Sequence, residues 1–408
     1  MKLYDDLKWR GLLKDMAGDD LEEKLNQGGM TFYWGTDPTA DSLHLGHYSS
    51  LLTAKRLAAS GHHPILLIGG ATGLIGDPRP TTERAMSSKE ELLKNIESIK
   101  KQITSLFGYE VVNNYDWCKD INMLDFLRDY GKFFNVNYMC NKDIIKRRID
   151  TGITYTEFSY MIIQALDFLY LYETKNCVMQ VEGSDQWGNI TAGLDLIKRK
   201  TNKDLYAFTM PLVTDSYGNK FGKSEGNALW LDKNKTSSYE LYQYLVNVED
   251  SMVISYLKIF TFLNKEEIEA LEKSNKEDPH LRLAHKALAK EIITDLHGHG
   301  EYEKAVKISE ALFSGDIKNL SVDEINDGFK NVPSFDISVD INIIDLLASN
   351  GICSSKREAK ELVEGAAVSV NGSILSSFDY IVTRDKAIDN KYTVIRRGKK
   401  KYYLIKHI

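Results

Sequence analysis

The sequence predicts an α/β fold built on a parallel sheet, followed by an all-helical segment and a small α+β module. Three observations predict it. Apolar strand runs alternate with helical periods over roughly the first 230 residues. From Thr236 onward only helical spacing is found. The last 70 or so residues return to short strands, with Asn371-Gly372 supplying a hairpin turn.

The elements follow in chain order. Residues 1–25 read as helix. Thr31-Phe-Tyr-Trp34 is a strand closed by Gly35. Asp41 or Ser42 is expected to cap a helix that begins near His44 and runs to about Ala59. Pro64–Ile68 is a buried strand, followed by the Gly-rich turn GGATGLIGDP. Residues 88–106 form an amphipathic helix and Val111-Val112 lies in a strand. Residues 120–173 are mostly helical. Cys177–Val181 is a strand, Trp187–Lys198 a helix, and Phe208–Val213 a strand. Pro279 suits the first helical position behind Asp278, and Leu281–Leu296 has helical periodicity. Residues 316–336 read as a linker. Ile344–Asn350 and a helix capped by Ser354 or Ser355 open the final module, and two hairpins complete it.

Composition excludes several classes. The net charge is −6, so contact with nucleic acid must come from local basic patches. The four cysteines form no CxxC pair, which argues against a zinc ribbon or disulfide framework and fits a reducing compartment. The start MKLYDDLKWRGLLKDM has neither the apolar core of a signal peptide nor the acid-poor character of a transit peptide. No run approaches a membrane span, so a cytoplasmic protein with no membrane partner is expected.

Two basic motifs carry the chemistry. His44-Leu-Gly-His47 opens a helix, where free N–H groups and the helix dipole favour anions. Gly46 leaves room for a nucleotide on that backbone. A structural cap or a metal pair is the alternative, and no third ligand is in view. Lys220-Phe-Gly-Lys223-Ser224, about 170 residues later, is a Gly-containing loop with two cations. Alone it reads as a solvated turn. Together the motifs suit attack on the α-phosphate of ATP and point to an adenylate-forming transfer enzyme. GGATGLIGDP misses the GxGxxG spacing and no P-loop is present. Asp77 at its end could grip a substrate ammonium, or form a turn before Pro78. Tyr160, Gln164 and Asp167 share one helix face among apolar neighbours, so a network or a ligand must satisfy them. Asp185 and Gln186 open a helix after a strand, where open α/β sheets bind ligands.

HLGH and KFGKS resemble the two signature motifs of class I aminoacyl-tRNA synthetases. YWGTDPTADSLHLGH, GGATGLIGDP, TEFSYMIIQALDFLYL, QVEGSDQWGNI and KFGKSEGNALWLD resemble the bacterial-type tyrosyl-tRNA synthetase family. SSKREAKELVEGAAVSVNG resembles a ribosomal-protein-like RNA-binding module carried by that family. The resemblance covers nearly the whole chain. It implies a Rossmann-like catalytic domain at 1–232, with a helical dimerisation insertion at about 118–175. It implies a helical anticodon-arm domain at 233–315, the linker, and an RNA-binding module at 337–408. It implies activation of L-tyrosine with ATP and Mg²⁺, transfer to tRNA(Tyr), a homodimer, no organic cofactor and no resident metal.

The resemblance also assigns residues. Tyr33 and Asp167 would bond the phenol, and Tyr160, Asp77 and Gln164 the ammonium. Gln180 and Gln186 would place the amino acid. Gly35, Asp37, Gly46, Gly183 and Asp185 would contact the nucleotide. Thr39, His44 and His47 would bind the reacting phosphate and Lys220 and Lys223 the departing pyrophosphate, with Ser224 and Arg84 completing the catalytic set. Lys356, Arg357, Arg396, Arg397, Lys399, Lys400 and Lys401 would meet tRNA. Three positions depart from the family. Trp34 stands where a small residue is usual, Arg79-Pro-Thr-Thr-Glu-Arg84 lacks a common lysine, and GAAV replaces a GGV-like turn. A non-catalytic RNA-binding relative, a small-molecule nucleotidyltransferase and a tryptophan-specific synthetase are the rival readings; the Tyr33/Asp167 pair favours a hydroxyl-bearing ligand.

Overall fold

A computed structural model describes residues 1–78, 88–224, 227–398 and 401–408. The chain divides into two compact units. The first comprises 1–235 and 249–284, the second 236–248 and 285–408.

Among the described residues of the first unit, six strands form one sheet. They are β1 (Met16–Ala17), β2 (Thr31–Thr36), β3 (His63–Ile68), β4 (Glu110–Asn113), β5 (Cys177–Gly183) and β6 (Tyr206–Met210). The order is β1-β6-β5-β2-β3-β4. Adjacent strands are parallel except at the edge, where β1 is antiparallel to β6. The run His63-Pro-Ile-Leu-Leu-Ile68 is nearly all apolar because a parallel sheet is covered on both faces.

Strand order reverses between β2 and β5, which is where such sheets open a ligand crevice. Pairing between these two strands ends at Tyr33 with Gln180. Beyond that point β2 continues against β3 as far as Thr36, and β5 against β6 as far as Gly183. The carboxyl ends of the two central strands therefore splay apart.

The helix Leu45–Ala59 follows β2. Between β4 and β5 lie short helical turns, including Val136–Cys140 and Asp143–Ile149, and then the long helix Tyr155–Lys175. That helix packs on Trp187–Thr201 and buries Phe168, Ala165 and Leu169 in a core shared with Tyr33, Ile65 and Leu67. The helices Val253–Phe260 and Lys265–Glu277 also belong to this unit.

In the second unit, helices Ser238–Val246 and His299–Ser314 pack together. Its five-stranded sheet contains β9 (Ser334–Ile337), β11 (Val368–Val370), β12 (Ser373–Ile374), β14 (Tyr392–Arg397) and β15 (Lys401–His407), in the order β12-β11-β14-β15-β9. A separate pair joins β10 (Ile341–Asn342) to β13 (Ile381–Val382). Asn371 and Gly372 both take positive φ, 48° and 86°, as the expected hairpin turn requires.

Four local expectations are corrected. Residues 1–25 break into helices Leu3–Trp9 and Leu21–Gln27 around β1, because Gly11 and Gly18 adopt positive φ. His44, not Asp41 or Ser42, caps the next helix; Ser42 Oγ is occupied by Leu43 O and Gln102 Nε2. The helix expected from Leu281 begins at Leu283, since Pro279–Leu281 is a 3₁₀ turn closed by Arg282 at φ 52°. The expected linker at 316–336 carries a helix, Val322–Gly328, with a Ser321/Glu324 capping box. Its Ile325 and Phe329 share a core with Ile308, Val394 and Leu404. Helix His299–Ser314 and the C-terminal sheet are thus packed in one unit rather than joined by a loose tether.

Within the insertion, helix Asp143–Ile149 is fastened to the pocket-lining helix Tyr155–Lys175 by a buried ion pair. Arg148 bonds both carboxylate oxygens of Glu157, at 3.2 and 3.0 Å, with side chains 5% and 2% exposed. Arg148→Met leaves a carboxylate buried without its cation. The expected loss is about 3–5 kcal/mol of stability by urea unfolding, and an unchanged midpoint would show that the pair does not hold the insertion.

Candidate active site

His44 occupies the N-cap in extended conformation, φ −120°. Its Nδ1 accepts the Gly46 N–H at 3.1 Å, and His47 Nδ1 accepts the His44 N–H at 3.3 Å. The two rings stack with centroids 3.9 Å apart. Because each Nδ1 accepts a backbone proton, each neutral ring carries its own proton on Nε2. His47 is pushed down to about 3, by burial first and then by the charges of His44 and Lys220. The residue still reaches solvent in part. It is therefore a neutral Nε2–H donor at physiological pH. Trp34 is buried and lies edge-on to His47 at 6.3 Å. It sits on the strand face opposite Tyr33 and Gly35.

The second motif is seated directly on the first. Leu45 N–H donates to Leu229 O, Leu231 N–H to Leu43 O, and Leu229 N–H to Gly222 O, each at 2.8 Å. Gly222 has φ +80°, and a Cβ there would come within 2.9 Å of Leu45 Cβ. A side chain at Gly222 would lift the loop off the helix. Backbone pairing of β7 (Lys223–Ser224) with β8 (Asn227–Ala228) closes the loop. Lys220 is exposed yet near enough to His47 to shift its proton affinity. The side chains of Lys223 and Ser224 lie outside the described residues, as do Arg79 and Arg84.

The helix face Tyr160, Gln164 and Asp167 is buried, and a network meets it. Asp167 accepts from Asn114 Nδ2 at 3.0 Å and Trp117 Nε1 at 2.9 Å. Burial nonetheless raises its carboxyl to about 7, with those two donors opposing. Tyr160 Oη donates to Asp37 Oδ2 at 3.0 Å, and Thr72 Oγ1 to Asp37 Oδ1 at 2.7 Å. Asp77 accepts from Gln186 Nε2 at 2.9 Å and Asn189 Nδ2 at 3.3 Å. Tyr33 is 1% exposed, and burial together with Asp167 and Glu182 raises its phenol well above the ordinary range. Tyr33 Oη and Gln164 Oε1 are buried without a hydrogen-bond partner. An orphaned buried polar atom costs about 1–3 kcal/mol unless something bonds it. These two atoms are where a polar ligand repays its binding.

The Gly-rich turn serves this network. A Cβ on Gly69 would lie 2.2 Å from both Asp37 Oδ1 and Thr72 Oγ1, and one on Gly70 2.2 Å from Asn113 Oδ1. Its glycines admit close side-chain packing rather than a dinucleotide.

At the splayed strand ends, Gly35 N–H donates to Glu182 Oε1 at 2.7 Å across the crevice. Burial raises the Glu182 carboxyl well above its usual range, with Asp185 and Asp37 adding to it. Asp185 and Thr39 are exposed, and Gln180 is buried on β5. Sequence reasoning missed Glu182, Asn114, Trp117, Thr72 and Asn189. A charged residue in the last turn of a buried strand was the available signal for Glu182. The others carry none until the chain folds.

Of the basic residues assigned to tRNA, Lys356, Arg357 and Lys401 are exposed and Arg396 is half-buried. Arg397 is committed to its own unit: it bonds Ile352 O and Glu358 Oε1, each at 2.5 Å. Lys399 and Lys400 lie outside the described residues.

Residues 25–314 match the family model for class I tRNA synthetases (W and Y). The chain belongs to this family. Residues 324–405 match the model for a tyrosine–tRNA ligase SYY-like C-terminal domain. The chain is 48% identical to the tyrosine–tRNA ligase of Streptococcus gordonii, over 99% of this chain and all of that one. It is 49% identical to the same-named protein of Staphylococcus carnosus, over 100% and 99%. A C-terminally truncated mitochondrial tyrosyl-tRNA synthetase from Aspergillus nidulans is similar in structure, with TM-score 0.68 and 32% identity over 76% of this chain and 94% of that one.

The raised Asp167 carboxyl has a consequence for stability. In the folded chain it stays protonated up to about pH 7, whereas an unfolded aspartate ionises near pH 4. The native state holds the extra proton across that window, so this group's contribution makes stability fall as pH rises through it. Urea midpoints of Asp167→Asn should decline less between those two pH values than those of the parent. Equal slopes would show that the buried acid does not titrate there.

Proposed function

We propose that this synthetase activates L-tyrosine with ATP and transfers it to the 3′ end of tRNA(Tyr), releasing AMP and pyrophosphate. The observation that carries the reading is the seating of the Lys220–Ser224 loop on the His44–His47 helix start, beside a crevice with an orphaned buried phenol. In the first step a tyrosine carboxylate oxygen attacks the α-phosphorus of ATP as the bond to pyrophosphate breaks. ATP brings Mg²⁺ with it. In the second step a terminal ribose hydroxyl of tRNA attacks the adenylate carbonyl and AMP leaves. No protein nucleophile takes part, so catalysis is positioning and charge stabilisation.

We assign the residue roles as the family resemblance implies them. His44 and His47 offer Nε2–H donors to the reacting phosphate, alongside Thr39, and Lys220 with Lys223 neutralises the departing pyrophosphate. Tyr33 and Asp167 take the substrate phenol. Tyr160, Gln164 and Asp77 take its ammonium, with Gln180 and Gln186 aligning it. Gly35, Asp37, Gly183 and Asp185 meet the nucleotide. A site built to bond a hydroxyl strongly rejects an analogue lacking it; this enzyme family is the worked case of that rule.

We assign the helical segment 233–315 to the anticodon arm, and the module 337–408, through Lys356, Arg357, Arg396 and Lys399–Lys401, to tRNA backbone. Because that module shares a core with the helices before it, point variants test this better than truncation. The insertion at about 118–175 is assigned to homodimer formation: Met123, Leu124, Val136 and Tyr155 are 74%, 73%, 61% and 67% exposed. The reducing compartment that the cysteine usage fits is taken to be the cytoplasm.

The test of substrate is ATP–pyrophosphate exchange with each of the twenty amino acids. Tyrosine alone should support it; exchange driven by tryptophan would overturn the pocket assignment. His47→Ala should slow tyrosine-dependent exchange about 100-fold, equivalent to about 3 kcal/mol, and a parental rate would remove His47 from the phosphate site. By light scattering the parent should have twice the mass of one chain, and Leu124→Glu should lower it toward a monomer. A monomeric parent would refute the dimer.

A further inference from the structure

We propose that Phe221, Tyr256 and Phe260 form an aromatic seat that positions the Lys220–Ser224 loop over the start of the Leu45–Ala59 helix. The inference rests on the reading of those two motifs as the triphosphate site, and adds positioning residues to it.

Phe221 is the apolar residue inside the second motif. It is 3% exposed although Lys220 beside it is exposed. Its ring lies 4.2 Å from Tyr256 and 4.9 Å from Phe260. Phe260 in turn stacks nearly parallel on Tyr48, at 6.1 Å and 8°. Tyr48 directly follows His47, and Phe221 directly follows Lys220. One unbroken chain of buried rings therefore joins the residue after the first motif's histidine to the residue after the second motif's lysine.

Tyr256 also holds the stem of the loop. Its Oη donates to Thr214 O at 3.0 Å. Thr214 pairs with Lys220, and Phe221 N–H donates to Val213 O at 2.9 Å. The helix that carries Tyr256 and Phe260 is itself clamped at its C-terminal end. Arg10 Nη1 donates to Lys258 O at 2.9 Å and Thr261 O at 3.1 Å. Arg56, on the same helix as His47, also donates to Thr261 O. The first-motif helix thus grips the C-terminal end of Val253–Phe260 twice, through Tyr48 on Phe260 and through Arg56 on Thr261 O. That helix presents two rings to the second motif. Lost register at the seat would move the loop cations relative to the histidines, and a 1 Å misplacement is enough to cost activity.

Tyr256→Phe removes one hydrogen bond and Phe260→Leu keeps the core filled. For both, kcat of tyrosine-dependent pyrophosphate exchange should fall about tenfold and the KM for ATP should rise, while the tyrosine Kd measured without ATP stays within about twofold. Trypsin should cleave after Lys220 faster in both variants than in the parent. The seat is overturned if kinetics and cleavage match the parent, or if tyrosine and ATP binding weaken together, which is what a general loss of packing would produce. A parent that does not exchange pyrophosphate with tyrosine defeats the functional reading instead. The cleavage rates then decide the seat by themselves.

Discussion

The arrangement depends on a few backbone hydrogen bonds between segments far apart in sequence. Leu43 precedes the first motif and Leu45 lies within it, and the two pair with Leu231 and Leu229 beyond the second. Main-chain pairing fixes separation and register without demanding particular side chains. The histidine side chains add the capping bonds at Nδ1 to that main-chain frame. The same contact demands glycine at 222, because the loop approaches Leu45 closely at positive φ. A loop held by so few bonds is well suited to close and reopen within a catalytic cycle.

Beside that contact the chain buries acids that would destabilise an ordinary core. Asp37 stands close enough to both Asp167 and Glu182 to add to the rise in their proton affinity that burial causes. Donors from four separate segments offset this: Thr72, Asn114 with Trp117, Tyr160, and the Gly35 N–H. The balance is incomplete at Tyr33 and Gln164, whose orphaned atoms mark the pocket. A stable fold with unsatisfied polar groups in one place is the usual mark of a site shaped for a ligand.

Much of this was legible from residue patterns. Strand and helix alternation predicted the sheet, and the i, i+4, i+7 spacing placed Tyr160, Gln164 and Asp167 on one buried face. The Asn371-Gly372 turn was readable because few residues tolerate positive φ in succession. Other features were not readable. His44 is a rare capping residue, so the commoner caps Asp41 and Ser42 looked better. Residues 316–336 look weakly patterned because their buried apolar residues, Ile317, Leu320, Ile325 and Phe329, are split between a short turn and a short helix. Glu182 reads as a strand terminus until the gap between β2 and β5 is known.

Sequence alone determined the local preferences: which segments coil, which extend, and where glycine, proline and paired cations interrupt them. Those are properties of a residue and its near neighbours, set by sterics and short-range hydrogen bonding. The convergence of the two motifs, the protonation of Asp167 and the ring chain from Tyr48 through Phe260 to Phe221 belong to the tertiary structure. Each arises from burial and through-space contact between residues far apart along the chain, and no local pattern encodes a desolvation that only packing creates.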